Sequence, residues 1–235
     1  MFCVQIAGVL VAIENRYAFT EQLCADYIVD VSPDECDFSV SATAEEIVAE
    51  NNNEDAFSPA YCESLALYRK ICTRMLDYDA FLFHAAVVSY AGRGYAFAAK
   101  SGTGKSTHSR LWLKFIPDTA LLNDDNPVVR LMPDGTVRVF GTPWSGKTPC
   151  YINRSVPVGA FVRLFQAPEN KIERMQPPLS GASIIGSASG MRWDKEFYTR
   201  MLQLSFGIAK QTGIFTLHCL PDEEAARICH AAVTR

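Results

Sequence analysis

The sequence predicts an α/β fold in which helices flank a mixed, partly antiparallel sheet. Three observations carry this reading. Two pairs of apolar runs, residues 81–90 with 95–99 and 128–132 with 136–140, are joined by Ala91-Gly92-Arg93-Gly94 and by a link around Asp134-Gly135, so each pair reads as a hairpin. The run at 95–99 leads directly into a glycine-rich loop, after which a helical pattern begins. Helical periodicity returns near the end, where Phe197, Met201, Leu204 and Ile208 share one face of a helix over 193–211 and a second helix covers 222–233. Hairpins demand antiparallel neighbours, so the sheet cannot be the all-parallel kind.

Taken in order, residues 4–13, 27–31 and 38–40 read as short strands, punctuated by Ser32-Pro33-Asp34. The apolar opening lacks a basic start, contains Gln5 and runs into Glu14 and Arg16 without a cleavage-like end, which favours a strand over a signal peptide. Residues 45–55, including Asn51-Asn52-Asn53, are polar enough for an exposed helix end and loop. A boundary here gives a strand-rich appendage over 1–57 and a nucleotide-binding core over 58–235, one continuous domain being the alternative. Ser58-Pro59 then supplies a helix cap and first turn, followed by Leu65, Tyr68, Cys72 and Met75 at helical spacing, a helix expected to pack on the core. Beyond the glycine-rich loop, residues 109–116 read as helix, and 119–122 as a strand ending in Asn-Asp-Asp-Asn. Residues 158–165 and 214–219 read as further strands.

Composition narrows the class. With 235 residues and 49% hydrophobic content the chain can bury one sizeable core. A net charge of −4 and a pI near 5.6 provide no basic field, which argues against a nucleic-acid partner. The eight cysteines are scattered without a Cys-x-x-Cys pair or metal-ligand spacing, as expected of reduced, mostly buried thiols in a cytosolic protein. No apolar run approaches the roughly 20 residues that span a bilayer, so a cytoplasmic protein without a membrane partner is expected.

The chemistry concentrates in Ala98-Ala99-Lys100-Ser101-Gly102-Thr103-Gly104-Lys105-Ser106-Thr107. Gly102 and Gly104 let the backbone turn successive N–H groups toward an anion. Lys105 brings a full charge to the β- and γ-phosphates of a nucleotide, the Ser106 hydroxyl can ligate Mg²⁺, and the following helix adds its partial positive charge. Residues Ser101 to Thr107 therefore read as a nucleotide-binding P-loop (Walker A), with Ala99 standing where the usual pattern has glycine. Downstream, Asp124 and Asp125 end a short strand, so one can hold Mg²⁺ while the other takes a hydroxyl proton. The competing reading is an Asp-Asp turn before Pro127.

In this combination the residues resemble the catalytic core shared by HPr kinase/phosphorylase and phosphoenolpyruvate carboxykinase. Both have a His before the strand that enters the loop, a Ser-Gly-x-Gly-Lys-Ser/Thr loop and a later Asp-Asp pair, matched here by His84, Ser101 to Ser106, and Asp124-Asp125. The resemblance covers about residues 81–165 and implies the carboxykinase-like P-loop fold, ATP and Mg²⁺ as cofactors, and a homo-oligomer. From the carboxykinases it carries metal ligation to His84 and Asp125; from the kinases it carries metal and general-base roles to the Asp pair. The apolar neighbours of His84 equally suit a hydrogen-bonded core histidine. Thr107 stands where HPr kinase has an acidic residue, and the chain is about half a carboxykinase's length. It looks most like compact bacterial HPr-kinase-related proteins, in which Ser-Gly-Thr-Gly-Lys-Ser-Thr-His, Asn-Asp-Asp and Gly-Thr-Pro-Trp-x-Gly-Lys occur together. The last motif is residues 141–147 here, with Lys147 a candidate cation for the substrate and Trp144 a pocket wall or core residue. Arg192 is a further candidate for stabilising transferred charge; Lys100 and His108 flank the loop and read as solvated. The expected function is an ATP-dependent kinase acting on a hydroxyl of a protein, peptide or small molecule. The alternatives are a non-catalytic nucleotide-binding module and a carboxykinase-type enzyme.

Overall fold

A computed structural model of the protein describes residues 1–51, 57–146, 150 and 152–235. The chain divides into two compact units, Met1–Tyr78 and Asp79–Arg235.

The first unit opens with β1 (Phe2–Ile6) and β2 (Val9–Glu14), paired antiparallel. Ala7 and Gly8, both with positive φ (53° and 78°), form the tight turn between them, so the opening apolar stretch is a hairpin and not the single strand predicted. Helix α1 (Ala18–Leu23) follows; the fully buried Glu63 accepts hydrogen bonds from the N–H groups of Arg16 (2.6 Å) and Tyr17 (3.1 Å) just ahead of it. Residues 27–31 form no strand: Ala25–Tyr27 is a 3₁₀ turn, and Ile28 makes an isolated bridge to Val4. Strand β3 (Phe38–Ser41) runs parallel to β2. Helix α2 (Ala44–Ala49) is capped reciprocally by Thr43 and Glu46, and α3 (Pro59–Met75) by Ser58, whose hydroxyl accepts from the Tyr61 N–H at 3.2 Å. Helix α3 packs against α1, α2 and β3, so it lies in the first unit, where the sequence had grouped it with the later residues.

The second unit contains β4 (Ala80–Leu82), β5 (Ala85–Tyr90), β6 (Arg93–Ala98), α4 (Lys105–Phe115), β7 (Ala120–Asn123), β8 (Val128–Leu131), β9 (Val137–Phe140), β10 (Ser155–Gln166), β11 (Lys171–Arg174), α5 (Leu179–Ile185), α6 (Lys195–Gln211), β12 (Gly213–Cys219) and α7 (Glu223–Val233). Its nine-stranded mixed sheet has the order β4-β8-β9-β10-β6-β5-β7, with β12 also pairing β10 and β11 pairing β12. Strand β10 changes partner along its length. Residues 155–157 pair antiparallel with β9, whereas later residues run parallel to β6 and β12. Both predicted hairpins form, β5–β6 and β8–β9. The run 81–90, predicted as one strand, breaks at Phe83 and His84, because β4 pairs with β8 while β5 pairs with β6 and β7.

This topology decides what meets at one edge. Strand β6 delivers the glycine-rich loop; β5 is antiparallel to it, so the residue preceding β5, His84, lies at that same edge. Strand β7 is antiparallel to β5 and ends there too, with Asn123 opposite Val87. On the other side of β6, parallel β10 ends beside the loop. One face of the sheet buries Tyr95, Phe97, Val162, Leu164 and Leu217 against Trp112 of α4 and Ala226, Cys229 and Val233 of α7. The glycine-rich loop is thus anchored at both ends, on β6 and on a helix with a fully buried tryptophan.

Candidate active site

The loop has the backbone that its glycines allow. Gly102 and Gly104 take φ of 78° and 116°, left-handed conformations disfavoured for other residues, and Gly104 caps α4, whose first residue is Lys105. Ala99 is not among the residues of positive φ, and it is buried in the core beside Phe97 and Trp112. Alanine in place of the usual glycine therefore introduces no strain here.

Lys105 points toward β5 and not into open solvent. Its Nζ lies 2.8 Å from His84 Nε2, and His84 Nδ1 lies 3.1 Å from Asp125 Oδ1. An ammonium can only donate, so beside a charged Lys105 the imidazole is neutral, accepting at Nε2 and donating its Nδ1–H to Asp125. Burial pulls the Lys105 pKa below its usual 10.5, while the charges of Asp125 and Asp124 push it back up. His84 is half-exposed and meets a polar group at each ring nitrogen, so it is not the buried histidine that its apolar neighbours suited.

The acidic pair is shaped by Asn123, fully buried, whose Oδ1 accepts from the N–H groups of Asp125 (3.0 Å) and Asn126 (2.9 Å). Its Nδ2 reaches the Thr142 carbonyl at 3.3 Å, and the Thr142 hydroxyl donates back to the Asn126 carbonyl at 2.7 Å. The Asp125 and Pro127 carbonyls accept from the N–H groups of Ala85 (3.0 Å) and Phe83 (2.8 Å), holding the acidic turn on either side of His84. Asp124 is buried, at 8% exposure, whereas the Asp125 side chain is 32% exposed and carries Asn126 Nδ2 on its second oxygen at 2.9 Å. Gly146, at φ 70°, lies against Asp125 so closely that a Cβ there would come within 2.8 Å of the Asp125 Cβ. The segment 141–146 is thus a wall of the site, with Trp144 buried in it; Lys147 lies outside the described residues.

Arg192 is placed one layer out. Its Nη2 donates to the carbonyls of Ile185 (3.3 Å), Gly186 (3.2 Å) and Ala188 (3.3 Å). The carbonyl between them, on Ser187, accepts the His84 N–H at 2.8 Å, so Arg192 braces the segment that holds His84. Of the two residues flanking the loop, Lys100 is exposed as expected. His108, expected to be solvated, is buried under the Trp112 indole, whose N–H donates to His108 Nε2 at 3.2 Å, and burial pushes its pKa down to about 4.

Sequence reading missed the cleft beside the loop. It has a volume of about 420 Å³ and is walled by Gly102 to Gly104, Leu111, Leu164, Gln166, Leu220 and Pro221. Its apolar walls come from α4, the end of β10 and the residues after β12, and no single sequence window contains them. Among the described residues no three His, Cys, Asp or Glu side chains gather as a metal-ligating group. The oxygen donors Ser106, Asp124 and Asp125 nonetheless suit Mg²⁺, which takes one or two carboxylates and completes its shell with phosphate oxygens and water.

Residues 60–219, which include the loop, His84 and the acidic pair, match the family model described as SynChlorMet cassette protein ScmC. The chain belongs to the ScmC family. No curated protein matches it. Among solved structures, this chain is similar to the Hpr(Ser) kinase/phosphatase from Coxiella burnetii, at 9% identity and a TM-score of 0.36, over 65% of this chain and 93% of that one. Among the described residues no helix is long and apolar enough to cross a membrane.

Proposed function

We propose that the protein is a Mg²⁺- and ATP-dependent phosphotransferase of the HPr-kinase-like kind, moving the γ-phosphoryl group of ATP to a hydroxyl of a protein, peptide or small molecule. The observation that carries this reading is the hydrogen-bonded chain Lys105–His84–Asp125 at the mouth of the phosphate loop. A module that only bound nucleotide would need the loop but no half-exposed carboxylate oriented by an imidazole.

In this reading the nucleoside occupies the cleft against Leu111 and Leu164, and the loop N–H groups and Lys105 hold the phosphates. Asp125 accepts the proton of the acceptor hydroxyl, its carboxylate oriented by His84 Nδ1–H. The hydroxyl oxygen forms the new bond to the γ-phosphorus as the bond to the β–γ bridging oxygen breaks and ADP leaves. Ser106 and the more buried Asp124 would hold Mg²⁺, which would supply positive charge to the phosphates when bound.

The test is ATP binding by calorimetry together with transfer of label from γ-labelled ATP to the products of neighbouring reading frames. Lys105→Ala is expected to weaken Mg²⁺-ATP binding at least about tenfold, and Asp125→Asn to cut transfer roughly 10²- to 10⁴-fold with ATP affinity retained. Unchanged ATP affinity in Lys105→Ala would sink the loop assignment. ATP binding without transfer to any acceptor, and indifferent to Asp125→Asn, would leave a binding module.

A further inference from the structure

A second, smaller cleft of about 240 Å³ adjoins the phosphate loop, lined by Lys100, Thr103, Arg163, Leu164, Phe165 and Gln166. It contains two cations and no carboxylate, in a chain whose net charge is −4. The placement follows from the sheet: Arg163 stands opposite Ala98 on parallel β10, and Lys100 comes two residues after Ala98, so both emerge at the same edge. Among the described residues Arg69, Lys70, Arg74, Lys171 and Arg227 pair with a carboxylate, while other cations such as Lys114 and Lys210 do not. Arg163 has no such partner among the described residues: one nitrogen meets the Ser183 carbonyl at the long distance of 3.5 Å, and its guanidinium lies 5.9 Å from the Phe165 ring. Lys100 has no side-chain ion pair or hydrogen bond there either.

We infer that this cleft binds an anionic group, phosphate or carboxylate, of a second ligand that occupies the protein together with the nucleotide. The inference rests on the phosphotransferase reading, in which that ligand is the acceptor. Two cations left without counter-charge, beside the apolar surface of Leu164 and Phe165, create a local positive field that an anion neutralises. A guanidinium's planar fork matches the two oxygens of a carboxylate or phosphate. Phe165 is itself stacked on His218, with centroids 5.2 Å apart and planes at 17°, which gives the cleft a fixed wall. The site is distinct from the phosphate cradle. Lys105 turns to the β5 side of β6, Arg163 lies on the β10 side, and the Gln166 side chain donates to the Thr103 carbonyl at 3.3 Å on the wall that the two clefts share.

The experiment titrates inorganic phosphate at constant ionic strength into protein saturated with Mg²⁺ and a non-hydrolysable ATP analogue, read by calorimetry. Saturable binding with the analogue still bound is expected. Arg163→Gln and Lys100→Gln should each weaken it at least about tenfold while analogue affinity stays within about twofold, and Arg163→Lys should keep part of it. Thermal midpoints close to that of the parent protein show that the variants fold. Phosphate that displaces the analogue, fails to bind, or binds both Gln variants as tightly as the parent overturns the inference. If the analogue itself does not bind, the phosphotransferase reading has failed. The titration is then run on the protein alone, where sensitivity to Arg163→Gln without sensitivity to Lys105→Ala still identifies this cleft.

Discussion

At the scale of single residues, Lys105 is the most exacting case, because its charge is held in a place that disfavours it. Burial lowers its pKa from the ordinary 10.5, and Asp125 and Asp124 offset part of that. Phosphate oxygens favour the ammonium form, so nucleotide binding raises the lowered pKa and takes up protons between the free and bound values. The affinity for Mg²⁺-ATP should therefore fall as pH rises through a range below the usual lysine value. Lys105→Arg, which stays charged, should flatten that dependence. Calorimetry across this range in two buffers of different ionisation enthalpy checks both the affinity and the proton uptake; a dissociation constant indifferent to pH in the parent protein would count against it. Lys105 was legible from its motif. The partnership with His84 was not, since His84 comes 21 positions earlier and reaches the lysine across a strand pairing.

At the scale of elements, the acidic turn depends on the segment 141–146 more than on its own strand. Asn123 and Thr142 knit the two together, and Gly146 closes on Asp125. Gly146→Ala adds a methyl where φ is 70° and Asp125 is the neighbour, so it should lower stability by about 1 kcal/mol or more. Because the methyl meets Asp125, the phosphoryl transfer rate should fall further than ATP affinity. Thermal denaturation together with a comparison of kcat and Kd tests this, and an alanine variant with parental turnover would refute the contact. Some elements escaped sequence reading for identifiable reasons. Strand β11 and helix α5 are short and lack a clear apolar period. Ala7-Gly8 lies inside an unbroken apolar stretch, and the run 81–90 shows no polar break except His84, where the chain changes strand partners.

At the scale of the whole molecule, the second unit's core includes an ionisable group kept neutral. His108 is 2% exposed, hydrogen-bonded to Trp112, and has a pKa near 4 against 6.5 when unfolded. Between those values the unfolded chain binds the extra proton and the folded one does not, so stability falls as pH drops from 6.5 toward 4. For this group alone the loss amounts to about 3 kcal/mol. Chemical denaturation at pH 7 and pH 4.5 should show this loss in the parent and a smaller one in His108→Gln; equal slopes would place the acid sensitivity elsewhere. The eight thiols are all free, six of them buried, as scattered cysteines without paired spacing imply.

The sequence by itself determined the class of fold, the hairpins around Gly92 and Gly135, the helix capped at Ser58 and the glycine-rich loop between a strand and a helix. Each is written in local signals: periodicity, turn residues, caps and a spaced motif. It also displayed Asp124-Asp125 as a pair without saying which carboxylate faces outward. Tertiary structure decided the rest. Antiparallel pairing brought His84 between Lys105 and Asp125, buried Asp124, carried His108 into the core, engaged Arg192 on three carbonyls, and opened clefts between β10 and the loop. Those outcomes depend on which strands become neighbours, a choice made by burial of apolar faces across the whole sheet and visible in no single stretch of chain.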